Sequence, residues 1–311
     1  MALTKKTVLI LGAGASMPYG FPSGDELKMH IISQLENYPT LVGPATQLEH
    51  LTREANIEDY HVKNFRDELA GASHVTIDRF LENRPEFGAI GKLAIAATLI
   101  PFERSSIISM FIPSKVKDQK RIAEGWYKYF AQQLRLSSTY WGDGLLTIIT
   151  YNYDRSLEYF LFRILTSTCK KSQQECWDIF QTIPIIHIYG ELGAFNPIDD
   201  GLPYAPSLNI ETARAAAKNI RLMHEAKNEG LTNRSKTAVE NAEVVCFLGF
   251  GYHPENIEPL AVKARTQGKR VLGTAYQLTK AERSRLKLGH YVDEPLDCRI
   301  LELLKETDVL G

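Results

Sequence analysis

Five short, largely apolar runs constrain the fold more than any other feature of this chain. They are Val8–Leu11, Leu145–Thr150, Ile183–Ile188, Val244–Leu248 and Arg270–Leu272. Each stops at a turn rich in glycine, asparagine or threonine. A strand with one wet face alternates apolar and polar residues. These runs do not, so each is expected to be covered on both faces, as in a parallel sheet. Helical patterns lie between them. Strand, turn, helix, strand is the grammar of an open α/β sheet. The expected fold is therefore α/β, a Rossmann-like open parallel sheet whose ligands sit beyond the carboxyl ends of its strands.

One stretch breaks the alternation. From Asp25 to Arg135 no strand pattern occurs, and helical patterns cover Asp25–Glu36, Thr46–Asn56, Ile57–Leu69, Thr76–Asn83, Glu86–Ile100 and Arg121–Leu136. A βαβ crossover needs only about 30 residues. The excess is read as a helical insertion over 25–140, inside a single domain spanning 1–311. Ser23 and Glu26 have the spacing of a capping box at the first of these helices. A second helical block runs from Ile210 to Asn241, and its basic residues between Ala213 and Lys227 are read as a solvated face.

Charge and cysteine usage remove several classes. Lys plus Arg number 36 and Asp plus Glu 37, a net charge of −1. A dedicated nucleic-acid binder shows a strongly basic face or domain, so no direct nucleic-acid binding is expected. Four cysteines, Cys169, Cys176, Cys246 and Cys298, form no CxxC pair, so neither a zinc knuckle nor a disulfide framework is expected. The apolar run after Lys5-Lys6 is too short for a signal peptide and is cut by Gly12. Leu93–Phe102 falls well short of the ~20 residues that span a bilayer. A cytoplasmic protein with no metal and no membrane contact is expected.

The chemistry should lie at the strand ends. Gly12-Ala13-Gly14-Ala15-Ser16 follows the first run, and its glycines let the backbone approach an anion. Met17 stands where a dinucleotide fingerprint has its third glycine. Pro18, Gly20 and Pro22 then forbid an immediate long helix. Asn152 ends the second run with both donors and an acceptor, and Asp154 is placed to cap the helix Arg155–Leu165. In Ile185–Gly190, alternation would put His187 and Tyr189 on one face, with Gly190 turning the chain. Gly249, Gly251 and Thr274 end the fourth and fifth runs. In one open sheet all of these would converge on one pocket.

At these residues the chain resembles the sirtuin superfamily. Its closer likeness is to the divergent bacterial silent-information-regulator-like branch that consumes NAD in anti-phage defence. The resemblance rests on Gly12–Ser16 with Gly20-Phe21-Pro22, on Thr150-Tyr151-Asn152-Tyr153-Asp154, on Tyr189-Gly190, on Gly249-Phe250-Gly251, on Gly273-Thr274, and on Thr76–Leu81. It implies NAD held across the switch point of the sheet. Gly12, Ala13, Gly14, Ala15, Ser16, Pro22, Asp154, Tyr189, Gly190, Gly249, Gly251 and Thr274 would bind it, and Asn152 would be catalytic. The family's second catalytic residue is a His directly before Gly. Here that position is Tyr189, and His187 lies two residues earlier. Either His187 takes the role, or Tyr189 does, or activity is impaired; His187, as a residue type that titrates near neutrality, is the preferred base.

The activity so implied is NAD hydrolysis to nicotinamide and ADP-ribose. Nicotinamide leaves as a neutral ring, so the site must steady the ribose cation left behind and steer one water to it. Asn152 would position that water or the ribose hydroxyls, His187 would accept a proton, Asp154 would orient or cap, and backbone N–H groups from Gly12 to Ser16 would hold the diphosphate. A non-catalytic sensor of NAD or ADP-ribose is the alternative. Protein deacylation is a lesser one, because the paired cysteines of the deacylase zinc module are missing. The resemblance also implies an abortive-infection effector, controlled by homo-oligomerisation or by a separately encoded helicase-like (HerA-type) ATPase or other defence protein. With the chain ending at Gly311, a fused sensor is not expected.

Overall fold

The structure is a computed structural model describing residues 3–310 except 37, 39–44, 73–74, 107, 109–121, 123–124, 135–143, 200, 223–224, 226–229, 261, 263–267, 290 and 308. Strands β1 (Thr7–Leu11), β2 (Leu146–Thr150), β3 (Ile185–His187), β4 (Val244–Leu248), β5 (Arg270–Thr274) and β6 (Glu294–Leu296) form one sheet in the order β3-β2-β1-β4-β5-β6. Every pairing is parallel. The fold is α/β and Rossmann-like. The chain builds outward from β1 to β3, then restarts on the other side of β1. That reversal puts the topological switch point between β1 and β4.

The strands are apolar throughout because both faces are covered. Val8 and Ile10 enter one core with Ile149, Val245, Phe247 and Val271. Leu9 and Leu11 enter the other with Ile148, Cys246, Leu248 and Leu272. A strand between two helical layers keeps its alternation of direction but loses its alternation of polarity.

Between β1 and β2 lie helices α1 (Gly24–Gln34), α2 (Gln47–Glu54), α3 (Asp59–Gly71), α4 (Ile77–Asn83), α5 (Gly88–Ser105) and α6 (Trp126–Gln133), with no strand among the described residues. Next come α7 (Ser156–Thr168) and α8 (Gln173–Phe180), then α9 (Ile210–Asn219), α10 (Leu231–Asn241), α11 (Pro254–Ile257), α12 (Lys280–Leu288) and α13 (Ile300–Glu306). Ser23 caps α1 in the expected box with Glu26. The first five helices join the core of Val8 and Ile10, while α6, α7, α8 and α13 cover the opposite face. The central element of the insertion is α5, which packs on α1, α2 and α9. The segment Pro85–Ser105 is long and apolar enough to cross a membrane, but 67% of its apolar window is buried inside the protein.

Several sequence expectations need correction. β3 holds three residues, not six, because the chain turns at Ile188. The block Ile210–Asn241 is not one continuous helix: among the described residues α9 ends at Asn219, and Ile220 leaves it in an extended conformation and pairs antiparallel with Gly190. β6 has no apolar run to announce it, being Glu294-Pro295-Leu296. Of the expected helix Arg121–Leu136, Trp126–Gln133 is described as α6, and both expected ends lie outside the described residues, as does Lys227.

Candidate active site

Leu11 pairs with Thr150 on one side and Leu248 on the other. The turns that follow β1, β2 and β4 therefore start at one level and meet. The β1 and β4 turns interlock. Gly12 N donates to Leu248 O at 3.1 Å and Gly14 N to Gly249 O at 3.0 Å. Gly249 has φ +60, and a Cβ there would lie 2.4 Å from Ala15 N. A Cβ on Gly14 would lie 2.8 Å from Gly249 Cα. These glycines are needed because two backbones touch.

The same contact revises the diphosphate cradle expected at this turn. Residues Ala13–Ala15 and Met17–Tyr19 form two short 3-10 turns. Ala15 N donates to Gly12 O and Ser16 N to Ala13 O. With Gly12 and Gly14 already bonded to the β4 turn, four of the five amides from Gly12 to Ser16 serve carbonyls of the protein. What the turn presents instead is the Ser16 side chain. Pro22 is half-buried in the loop that follows.

Asn152 crosses to this turn from the end of β2. Its Nδ2 donates to Gly12 O and to Ser16 Oγ, both at 3.0 Å. A carbonyl can only accept, so the Gly12 contact fixes which end of the amide is nitrogen. Asn152 N donates to Thr150 Oγ1 at 3.1 Å. Its carbonyl receives His187 Nδ1 at 3.0 Å. Oδ1 is the polar atom of Asn152 without a donor among the described residues, and it is held in a fixed direction.

Asp154 lies beside Asn152 and is buried. Its Oδ1 accepts from the Ser156 amide at 3.1 Å at the start of α7, and also from the Ser156 hydroxyl. Burial raises this carboxyl to about 6, partly offset by hydrogen bonds from Ser156 and Ser16. Tyr127 of α6 closes the network, 2.8 Å from Ser156 Oγ and 3.5 Å from Ser16 Oγ. Its ring stacks on Tyr19 at 3.9 Å, and neighbouring Trp126 donates from Nε1 to Ala15 O at 2.8 Å.

His187 and Tyr189 do not share a face. β3 ends at His187, and the turn through Ile188 replaces the alternation that would have aligned them. The His187 ring meets α7. Nε2 is 2.5 Å from Glu158 Oε1 and 4.0 Å from Glu191 Oε2. With Nδ1 on the Asn152 carbonyl, both ring nitrogens are used. Burial alone would lower the imidazole, but the Glu158 and Glu191 carboxylates outweigh it and hold the ring protonated to about 9. The ring expected as a free base is thus placed between the Asn152 carbonyl and the Glu158 carboxylate.

Tyr189 enters the opposite core. Its hydroxyl donates to Asn256 Oδ1 at 2.5 Å, and Tyr151 donates to Asn256 O at 2.5 Å. Tyr153 donates to Asp78 of α4, within the Thr76–Leu81 motif. Burial, with Asp78 adding to it, raises the Tyr189 hydroxyl beyond any physiological range. Gly190 (φ +73) bridges to Ile220, and a Cβ there would sit 1.8 Å from Asn219 O. Thr274 Oγ1 accepts from Gly249 N at 2.8 Å, so it fastens the β4 turn. Gly251 is exposed beside His253.

The strand ends thus bring Gly12–Ser16, Asn152, Asp154 and Gly249 together, with His187 behind Asn152 and Tyr189 on the other side of the sheet. Sequence reasoning missed Tyr127, Trp126, Glu158 and Asn256. The aromatic pair lies in the insertion, far along the chain from the turn it clamps. Glu158 did carry a local signal, four residues after Asp154 at a helix start, where such residues share a side.

No protein-family model and no curated protein matches the chain. Among solved structures, a Sir2 homolog in complex with NAD shares 15% identity over 99% of this chain and 89% of that one, with a TM-score of 0.47. Sir2Tm bound to a propionylated peptide shares 11% over 97% and 93%, at 0.42. A mutant Sir2 homologue in complex with 2′-O-acetyl ADP-ribose shares 15% over 99% and 91%, at 0.43. The fold assignment rests on the sheet order itself.

Proposed function

We propose that this chain is a sirtuin-like NAD glycohydrolase, which cleaves NAD to nicotinamide and ADP-ribose. The observation that carries the reading is the immobilised Asn152 at the end of β2, whose amide is tied to the β1 turn while Oδ1 stays available. In the reaction the bond from the ribose C1′ to the pyridinium nitrogen breaks and its electron pair stays on nicotinamide. Water then bonds to C1′ and gives up a proton. Asn152 Oδ1 orients that water or a ribose hydroxyl. Asp154, adjacent through Ser16, is ionised in most molecules at neutral pH and receives the proton. Tyr127 and Trp126 buttress the turn.

A place as an effector of bacterial anti-phage abortive infection, in the cytoplasm, is supported by the sequence motifs. So is control by self-assembly or by a separately encoded ATPase. The alternative, a non-catalytic NAD or ADP-ribose sensor, is favoured by one observation: both nitrogens of His187 and the hydroxyl of Tyr189 are already bonded.

The test is nicotinamide release from NAD by the purified chain, with binding measured in parallel. Release lost by at least ~100-fold in Asn152→Ala and Asp154→Ala, with NAD still bound, supports the hydrolase. Tight binding without release under any condition, alone or with candidate partners, supports the sensor. Neither binding nor release sinks both.

A further inference from the structure

We propose that His187 and Glu158 act as a positioning pair that fixes the backbone of Asn152, rather than as an acid–base couple. This rests on the reading that Asn152 acts on NAD. The Asn152 carbonyl can only accept, so His187 Nδ1 must carry a hydrogen to bond it at 3.0 Å. That orients the ring so that Nε2 faces Glu158 on α7, at 2.5 Å. Both partners are nearly free of solvent, with side-chain exposures of 8% and 6%. Glu191 approaches the same nitrogen from the turn after β3, and Arg155 stands beside Glu191 at the start of α7. Asp154 and Glu158 also influence each other.

Asn152 is consequently gripped from three sides: its amide by Gly12 and Ser16, its N–H by Thr150, its carbonyl by His187. A ring buried behind Asn152 with both nitrogens bonded cannot take a proton from substrate. It can set where Oδ1 points. Orientation of this kind matters, since a misplacement of about 1 Å costs on the order of 100-fold in rate.

The experiment compares the full-length wild type with His187→Leu, His187→Asn and Glu158→Gln in nicotinamide release against pH. The amide nitrogen of asparagine can stand where Nδ1 stands. The expected result is a kcat loss of about tenfold to 100-fold in His187→Leu, with KM little changed. His187→Asn recovers most of that kcat with the wild-type pH profile, and Glu158→Gln falls between. Equal, near-complete loss in His187→Leu and His187→Asn, with one limb of the pH profile gone, would identify a base and overturn the proposal.

A second readout needs no turnover. Urea midpoints are measured without NAD for His187→Leu, Asn152→Ala and the double variant. Non-additive shifts are expected, because one residue holds the other. Additive shifts overturn the proposal even if the wild type releases no nicotinamide, so the two readings fail separately.

Discussion

Glu103 of α5 and Arg155 at the start of α7 form an ion pair with no exposed surface on either side chain, Arg155 Nη2 standing 2.8 Å from Glu103 Oε2. Arg155 Nε reaches Glu103 Oε1 at 3.0 Å, making the pair bidentate. Arg155 also donates to the carbonyls of Gly193, Leu202 and Pro203, and Glu103 accepts from Ala205 N. The insertion, the helix behind Asn152 and the loop after β3 are joined at one point. Removing one partner strands a buried charge, so Glu103→Ala or Arg155→Met should each cost about 3–5 kcal/mol. The double variant Glu103→Leu/Arg155→Met should cost less than the sum. Urea unfolding of the three variants measures this. Arg84→Ala, which breaks the half-exposed pairs with Glu68 and Glu86 and one contact over the Phe87 ring, should move the midpoint far less.

Stability should fall in two steps as pH rises. His187 is held protonated to about 9 against its ordinary 6.5. The folded state binds this proton more tightly, so its contribution is complete below 6.5 and is lost as pH climbs through 9. Asp154 is raised to about 6 from 3.8. Its contribution is complete below 3.8 and is lost as pH rises through 6, because a buried carboxylate must then ionise. Each step is on the order of 1–3 kcal/mol. Glu158→Gln should flatten the upper step. Asp154→Asn should flatten the lower one and be more stable than the wild type at pH 7, even as nicotinamide release disappears. Urea midpoints from pH 4 to 10 separate the two, and a lower step of opposite sign would refute the Asp154 assignment.

The interlocked turns predict an unusual sensitivity to one methyl group. Gly249→Ala places a Cβ 2.4 Å from Ala15 N and asks an L residue to hold φ +60. The backbones must separate, at a cost above the 1–2 kcal/mol of the left-handed conformation alone. Gly251→Ala meets only the His253 ring, at 3.1 Å, with no positive φ, and should be nearly silent. Urea unfolding and NAD binding should rank the two variants in that order. Equal effects would mean that the β1 and β4 turns are not in contact.

The central strands and the helices of the insertion were legible because burial on two faces writes itself as short apolar runs, and because Ser23 and Glu26 announce a helix start by spacing alone. The glycine turn was legible as a special backbone, though its reason was not. The sequence shows that Gly12, Gly14 and Gly249 lack side chains, but only the parallel register of β1 with β4 shows that they lack them for one another. β6 escaped because a proline and a glutamate at a sheet edge carry no hydrophobic signature.

Residue types at the strand ends, and the α/β class that gathers them, were determined by the sequence itself, since both follow from local patterning. Which of those residues face a common space was decided by tertiary structure. Alternation would have set His187 beside Tyr189. A turn one residue after His187 sent one ring to Glu158 and the other to Asn256. The partners that settle each proton, Glu158 on a neighbouring helix and Asn256 beyond β4, are brought close only when the sheet folds. A side chain's chemistry is written in its residue type, but its charge state and freedom to act depend on neighbours distant in the chain.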